Sequence, residues 1–218
     1  MPERAHKNIL QARINCKEFP RPQNTPNSEN ALFSPQNPVV SLIDLVSEKD
    51  DNLIMAKIHV VLLEPEIPQN TGNIARTCAA TGSSLHLIKP LGFSLEDKYM
   101  KRAGLDYWSL LDLHVYENIA DFYEKNPNAE VYYFSKKACH VYSDVSYPDE
   151  VYLMFGKETK GIPEPELLAH YQRTLRMPMR EGLRSLNLSN AVAIAVYEVL
   201  RQKDFADLAL EGKFKDLP

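Results

Sequence analysis

The sequence lacks the features that would assign it to a secreted, membrane-spanning or metal-binding class. Its 218 residues include three cysteines, and these are too far apart for metal-ligand spacing. No stretch approaches the roughly 18 to 20 uninterrupted apolar residues that a membrane span needs. The amino terminus also lacks the apolar segment of a secretory signal. These absences favour a cytoplasmic protein that binds neither a metal nor a membrane.

Several common catalytic motifs are missing as well. The chain has no Gly-x-x-x-x-Gly-Lys phosphate loop, no Gly-x-Gly-x-x-Gly after its first predicted strand and no Gly-x-Ser-x-Gly elbow. The six histidines are scattered, and His59 and His86 lie inside strand patterns, where structural histidines are expected. The usual nucleotide-binding and hydrolase mechanisms are therefore unsupported.

An excess of positive charge is also lacking, since the formal net charge is −4. Bulk charge governs non-specific attraction, however, so an acidic protein can still bind RNA through a local basic surface. The hydrophobic content of 44% and the charged content of 25% are typical of a globular protein.

The first 54 residues differ from the rest of the chain. They contain six of the fifteen prolines but no glycine, tyrosine or tryptophan, and they are rich in Asn, Gln and Ser. Such a composition buries too little apolar surface to order itself. We expect residues 1–54 to be an extension, either disordered or a misassigned start, and residues 55–218 to form the functional domain, beginning at Met55.

After Met55, short apolar strands alternate with helical patterns. The predicted strands are 58–63, 84–88, 112–116, 130–135, 151–155 and 174–177, and the predicted helices are 71–80, 95–103, 119–125, 164–171 and 190–203. This alternation predicts an α/β fold with a mostly parallel sheet and helices on both faces. Ligands of such sheets bind at the carboxyl ends of the strands, so the loops that follow the strands are the candidate sites.

Two of these loops carry polar residues that allow two interpretations. In the loop after the first strand, Asn70 or Thr71 can cap the next helix, and Arg76 follows six residues after Asn70. In the loop after strand 151–155, Gly156 permits a tight turn and Glu158 stands between two lysines. A capped helix with a surface arginine, and a plain turn with solvated charges, would explain these loops without any ligand.

The third loop has more polar side chains than a helix start requires. Ser189 or Asn190 is the predicted cap of the last helix, and one side chain suffices for a cap. Ser185 and Asn187 are in excess of that structural need, which points to a functional role for them.

Together the three loops resemble the SPOUT class of RNA methyltransferases, and in particular the TrmL-type tRNA (cytidine/uridine-34) 2'-O-methyltransferases. The matching motifs are NTGNIAR at 70–76, FGKETKG at 155–161 and SLNLSN at 185–190. The segments LEPEIP at 63–68 and DKYMKRAGLDY at 97–107 are also similar to family segments. The resemblance covers about residues 58–201, and residues 1–54 have no counterpart in it.

The resemblance implies S-adenosylmethionine as the methyl donor, S-adenosylhomocysteine as the product, a C-terminal trefoil knot, a homodimer and no metal. The implied reaction is 2'-O-methylation of the ribose at the wobble position, 34, in the anticodon loop of tRNA. On that pattern the donor pocket would be lined by Phe134, Gly156, Met177, Ser185, Leu186 and Asn190.

The implied catalytic residues are Arg76, Glu158, Ser185 and Asn187. Arg76 would remove the hydroxyl proton or only orient the substrate; arginine stays protonated in most settings, which favours orientation. The other three would shape the donor loop. RNA contacts are expected from Asn70, Lys98, Lys101, Arg102, Arg180 and Arg184.

Two alternatives remain open from the sequence. The same donor and chemistry could serve another tRNA site or ribosomal RNA. A non-catalytic RNA-binding SPOUT dimer is the other alternative, although the retention of all four expected catalytic residues counts against it.

Overall fold

A computed structural model describes residues 56–95 and 110–212. These residues form one seven-stranded sheet in which every neighbouring pair is parallel, in the order β3-β2-β1-β6-β4-β7-β5. The strands are β1 (Lys57–Leu63), β2 (Ser84–Ile88), β3 (Leu113–Tyr116), β4 (Val131–Phe134), β5 (His140–Val141), β6 (Glu150–Gly156) and β7 (Thr174–Arg176). The predicted parallel α/β fold is confirmed.

Helices cover both faces of the sheet. The described residues contain α1 (Pro68–Thr81), α2 (Ile119–Lys125), α3 (Glu164–Ala169) and α4 (Leu188–Gln202), with single 3-10 turns at Tyr142–Asp144 and Tyr171–Arg173. Because successive strand residues point to opposite faces, Val60 and Leu62 pack with α1 and α4, whereas Val61 and Leu63 pack with α2 and α3. The two faces therefore have separate apolar cores, and the central strands are buried on both sides.

Most element boundaries lie within a few residues of the predictions. Two elements cannot be matched in this way. The two-residue strand β5 was not predicted, because it is too short to show any alternation of apolar residues. The predicted helix 95–103 lies almost entirely outside the described residues. The trefoil knot that the resemblance implies stays a prediction. Within 56–95 and 110–212, no helix is long and apolar enough to cross a membrane.

Parallel pairing brings the loops after β1, β4, β6 and β7 to one edge of the sheet. The register joins the last residues of β1 and β6, Leu63 and Gly156, and the last residues of β4 and β6, Phe134 and Phe155. The three polar loops recognised in the sequence thus lie at the same edge, together with the loop after β4.

Candidate functional site

A cavity of about 370 Å³ opens at the carboxyl edge of the sheet. Its apolar wall includes Phe134 and Phe155, whose rings stack with centroids 4.6 Å apart, together with Ile162 and Met177. This volume lies in the range of small-molecule sites, which are mostly apolar with a few placed polar groups.

The structure brings most of the predicted donor-binding residues together. Five of them line the cavity: Phe134, Gly156, Met177, Ser185 and Leu186. Asn190 does not line it, and this side chain is exposed in the first turn of α4. Five of the six residues predicted to bind the donor therefore line one cavity, which is formed within a single chain.

Gly156 is required where the loop after β6 turns back on itself. A Cβ atom built on Gly156 would lie 2.1 Å from the carbonyl carbon of Gly161 and 2.2 Å from the amide nitrogen of Ile162. The turn is closed by a backbone bond of 2.8 Å from Gly161 N to Lys157 O. Only a residue without a side chain fits this approach.

Glu158 binds the start of α1 from the neighbouring loop. Its carboxylate accepts hydrogen bonds from Glu66 N at 2.8 Å, from Ile67 N at 3.3 Å and from the Asn70 side-chain amide at 2.9 Å. The N-cap residue Ile67 has no capping side chain, so the carboxylate satisfies donors at the positive end of the helix. The predicted cap at Asn70 or Thr71 is wrong, since α1 begins at Pro68.

The same two loops are joined by further pairs that the sequence did not suggest. The Glu66 carboxylate accepts from Thr159 N at 3.1 Å and from Thr159 Oγ1 at 3.0 Å, and Lys157 Nζ pairs with Glu64. Glu64 itself has a positive φ of 52°. We call this set of contacts between residues 64–67 and 157–159 the loop clasp. Its only sequence signal is the charge pattern of the two loops, with Glu64 and Glu66 in the first and Lys157 and Lys160 around Glu158 in the second.

Asn187 joins the third loop to the other two. Its side-chain amide donates to Asn70 Oδ1 at 3.0 Å, while its own Oδ1 accepts from Ser189 N at 2.9 Å and Ser189 Oγ at 2.7 Å. Asn187 is therefore the cap of α4, and the predicted cap at Ser189 or Asn190 is wrong because the helix begins at Leu188. A hydrogen-bonded series runs from Glu158 through Asn70 to Asn187.

The predicted RNA contacts fall into three groups. Asn70 is buried and both of its polar side-chain atoms are used within the protein, which gives it a structural position rather than an RNA-facing one. Arg180 and Arg184 are exposed on the segment that leads into α4. Lys98, Lys101 and Arg102 lie outside the described residues.

Arg76 is not part of the cavity lining of its own chain. It lies in the third turn of α1, on an exposed stripe with Gln69 and Asn73, and away from the buried face that contains Ile74 and Cys78. Of the four predicted catalytic residues, Glu158, Ser185 and Asn187 line the cavity and Arg76 faces outward.

Four lysines also line the cavity, and sequence reasoning did not select them as site residues. They are Lys136 and Lys137 after β4 and Lys157 and Lys160 after β6. Lys137 pairs with Glu164 and Lys157 with Glu64. The consecutive lysines after a predicted strand were an available signal, because that loop also ends at the binding edge of the sheet.

The histidines in the strands are structural, as predicted. His59 Nδ1 and His86 Nε2 share a hydrogen bond of 2.9 Å, and His86 Nδ1 pairs with the Tyr116 hydroxyl at 2.8 Å. Burial lowers the pKa of His59 and lowers that of His86 to about 3, so both rings are neutral at pH 7. Among the described residues, no group of three or more His, Cys, Asp or Glu could hold a metal ion.

Comparison with known protein families identifies the class of RNA methyltransferase to which this fold and cavity belong. The SpoU rRNA Methylase family model matches residues 57–197, and the chain belongs to that family. The match spans every described strand, the clasped loops and the helices on both faces.

Individual relatives and solved structures are more specific than the family model. A Listeria innocua protein provisionally named a tRNA (cytidine(34)-2'-O)-methyltransferase is 52% identical over 159 residues, which is 72% of this chain and 94% of the relative. A solved structure concerned with 2-OH methylation of C/U34 on tRNA is 46% identical, with a TM-score of 0.65, and covers 69% of this chain and 98% of that one. A Streptomyces viridochromogenes SpoU methyltransferase with bound AdoMet shares the fold alone, at 21% identity and a TM-score of 0.60, over 69% of this chain and 59% of that one.

Proposed function

We propose that this protein transfers a methyl group from S-adenosylmethionine to the ribose 2'-hydroxyl of the wobble nucleotide, position 34, of tRNA. The observation that carries the proposal is the series Glu158–Asn70–Asn187, which ties the three motif loops around one cavity. The 52% and 46% identical relatives support position 34 over another RNA site. A tRNA substrate implies a cytoplasmic location.

The residues of the cavity fit the donor. Aromatic and thioether side chains at Phe134, Phe155 and Met177 suit an adenine ring and a sulfonium group. The close backbone approach at Gly156 keeps the loop after β6 folded against Gly161 and Ile162, which also line the cavity. When bound, S-adenosylmethionine would supply an electrophilic methyl group for the transfer.

The polar residues around the cavity have positioning roles in this proposal. Glu158 holds the start of α1, and Asn70 and Asn187 keep that start in register with the start of α4. Ser185 lines the cavity with an exposed hydroxyl that can orient a bound group. A fixed geometry of this kind lowers the barrier by holding the reacting atoms in line.

Arg76 reaches a cavity only if a second copy of the chain supplies it. It is exposed on α1 and outside the cavity of its own chain. The neighbouring helix α4 exposes Ile194 and Tyr197, at 40% and 50%, on the same face of the sheet. We therefore propose a homodimer through this face, in which the guanidinium of Arg76 orients the reacting nucleotide of the partner's site through its phosphate.

The direct experiment measures methyl transfer to unmodified tRNA and maps the methylated ribose. Transfer to the 2'-oxygen of nucleotide 34 is expected, and transfer to no tRNA by the wild-type protein would exclude the proposal.

Arg76→Ala should reduce turnover at least about a hundredfold while the donor affinity stays close to that of the wild type. Lys89→Ala is a suitable control, because this exposed lysine pairs with Glu117 and does not line the cavity.

A further inference from the structure

The mouth of the cavity has a local positive charge that the donor-binding residues do not explain. Four lysines are among the lining residues, whereas Glu158 is the carboxylate in the lining and its oxygens are occupied by three donors. Two of the lysines pair with glutamates, so the lining keeps a small excess of positive charge in a chain of net charge −4. Such an excess raises the local concentration of anions even when the whole protein is acidic.

Two of the four lysines are neutralised and two are not. Lys137 pairs with Glu164 and Lys157 pairs with Glu64. Lys136 and Lys160 are exposed and form no ion pair with any carboxylate of residues 56–95 and 110–212. Lys136, after β4, and Lys160, after β6, are thus exposed residues of the cavity lining whose charges are available, and we call them the rim lysines.

Three hydrogen bonds fix the backbone of the loop that carries Lys136. Arg176 Nη1 donates to Lys136 O at 2.6 Å, Ser135 N donates to Leu175 O at 2.9 Å, and Ala138 N donates to Ser135 O at 3.2 Å. The Lys160 loop is closed by the bond from Gly161 N to Lys157 O. Both lysines are attached to backbone that is fixed by hydrogen bonds, so the fold sets where their side chains begin beside the cavity.

We propose that Lys136 and Lys160 bind the RNA phosphates next to the ribose that receives the methyl group. This rests on the proposed function, because a 2'-hydroxyl that enters the cavity belongs to the same sugar whose 3'-oxygen bears a phosphate. That phosphate must then lie at the mouth of the cavity. Exposed ammonium groups suit a polyanion that stays at the surface, and phosphate contacts of this kind position RNA without reading its sequence.

The charge-removing variants Lys136→Gln and Lys160→Gln test the proposal, with Lys89→Gln and Lys125→Gln as matched controls. Lys89 pairs with Glu117 and Lys125 pairs with Asp121, and neither lysine lines the cavity. Each rim variant should weaken tRNA binding about three- to tenfold near 0.1 M salt, and lower the slope of log affinity against log salt by about 0.7 to 1. The controls should change neither quantity by more than about twofold.

The carboxylate of the methyl donor is the other anion that these lysines could bind. Calorimetry with S-adenosylhomocysteine, which has the same carboxylate, distinguishes it from RNA phosphate. Unchanged donor affinity in the rim variants supports the phosphate contacts. If donor affinity falls while tRNA affinity stays at the wild-type value, the lysines bind the carboxylate of the donor and the proposal is overturned. It is equally overturned if tRNA binding and its salt slope match the wild type. Methyl transfer by the wild-type protein, measured in parallel, separates either result from a failure of the proposed function.

Discussion

At the scale of single residues, Asn187 carries two tasks with one side chain. Its oxygen caps α4 and its amide nitrogen holds Asn70, which in turn donates to Glu158. Sequence reasoning judged Asn187 to be more than a helix start requires, and this was half right. The residue is the cap itself, and its second hydrogen bond is the part that a cap does not need.

Substitutions at Asn187 can separate the two tasks. Asn187→Ser keeps an oxygen that can accept from the helix, so its free energy of unfolding should be about 1 kcal/mol higher than that of Asn187→Ala, which has no cap. Both variants also leave the buried Asn70 oxygen without a donor, which should cost each of them about 1 kcal/mol or more. Both variants lose the bond to Asn70, and both should reduce methyl transfer about tenfold or more because the loops lose register. Urea unfolding and initial rates measure the two effects, and full activity in Asn187→Ser would show that the Asn70 contact is dispensable.

At the scale of secondary-structure elements, the important connection is between the loops after β1 and β6. The two strands are paired in register along their whole length, and the loop clasp continues that pairing beyond the sheet. The start of α1 and one wall of the cavity are consequently a single unit. A substitution in the loop after β6 should therefore alter the position of the start of α1, the helix that carries Arg76.

Gly156 offers the sharpest test of this connection. Gly156→Ala places a methyl group against the backbone of Gly161 and Ile162. The substitution should lower the free energy of unfolding by about 3 kcal/mol and should also weaken donor binding. Gly82→Ala is the control: Gly82 has a positive φ of 67° but open space around its Cβ position, so only backbone strain of about 1 kcal/mol is expected. Equal stability losses in the two variants would contradict a role for close approach at Gly156.

The elements were predictable to the extent that they repeat a pattern. β2 and α2 have their predicted bounds because apolar alternation and the Asn118 cap are local signals. The start of α1 was missed because its partner is Glu158, some ninety residues away, rather than a local side chain. Five of the six predicted donor-binding residues line the cavity, whereas the loop clasp depends on contacts between distant loops that no local pattern encodes.

At the scale of the whole molecule, the buried histidines make stability depend on pH. The folded-state pKa of His86 is about 3, below the ordinary value of about 6.5. Between these values the unfolded chain binds a proton that the folded chain does not. The contribution of His86 is therefore fully present above about pH 6.5 and is lost as the pH falls toward 3, by about 1.4 kcal/mol for each pH unit.

Chemical denaturation between pH 7 and pH 4 measures this slope. His86→Gln retains an amide that can bond to His59 but removes the titration, so its stability should fall less steeply with decreasing pH than that of the wild type. His114→Gln is the control, because the His114 side chain is 44% exposed. Parallel curves for wild type and His86→Gln would contradict a buried neutral ring.

The boundary at Met55 is a prediction for the whole chain. The family model begins at residue 57, and a relative matched over 94% of its length aligns with 159 residues of this chain. A protein that starts at Met55 should fold with a melting temperature within a few degrees of the full chain and should retain methyl transfer. Thermal unfolding and initial rates of the two proteins test this, and loss of either property would assign residues 1–54 to the working domain.

The parallel pairing of β1 with β6 also has a consequence for how the chain is made. Lys57 and Glu150, which begin the two paired strands, are 93 residues apart. At 5–20 residues per second, the ribosome delivers β6 roughly 5 to 19 seconds after β1. During that interval one edge of β1, which is buried at every position after Lys57, has no partner, so the nascent chain is prone to aggregation before the loops after β6 and β7 exist.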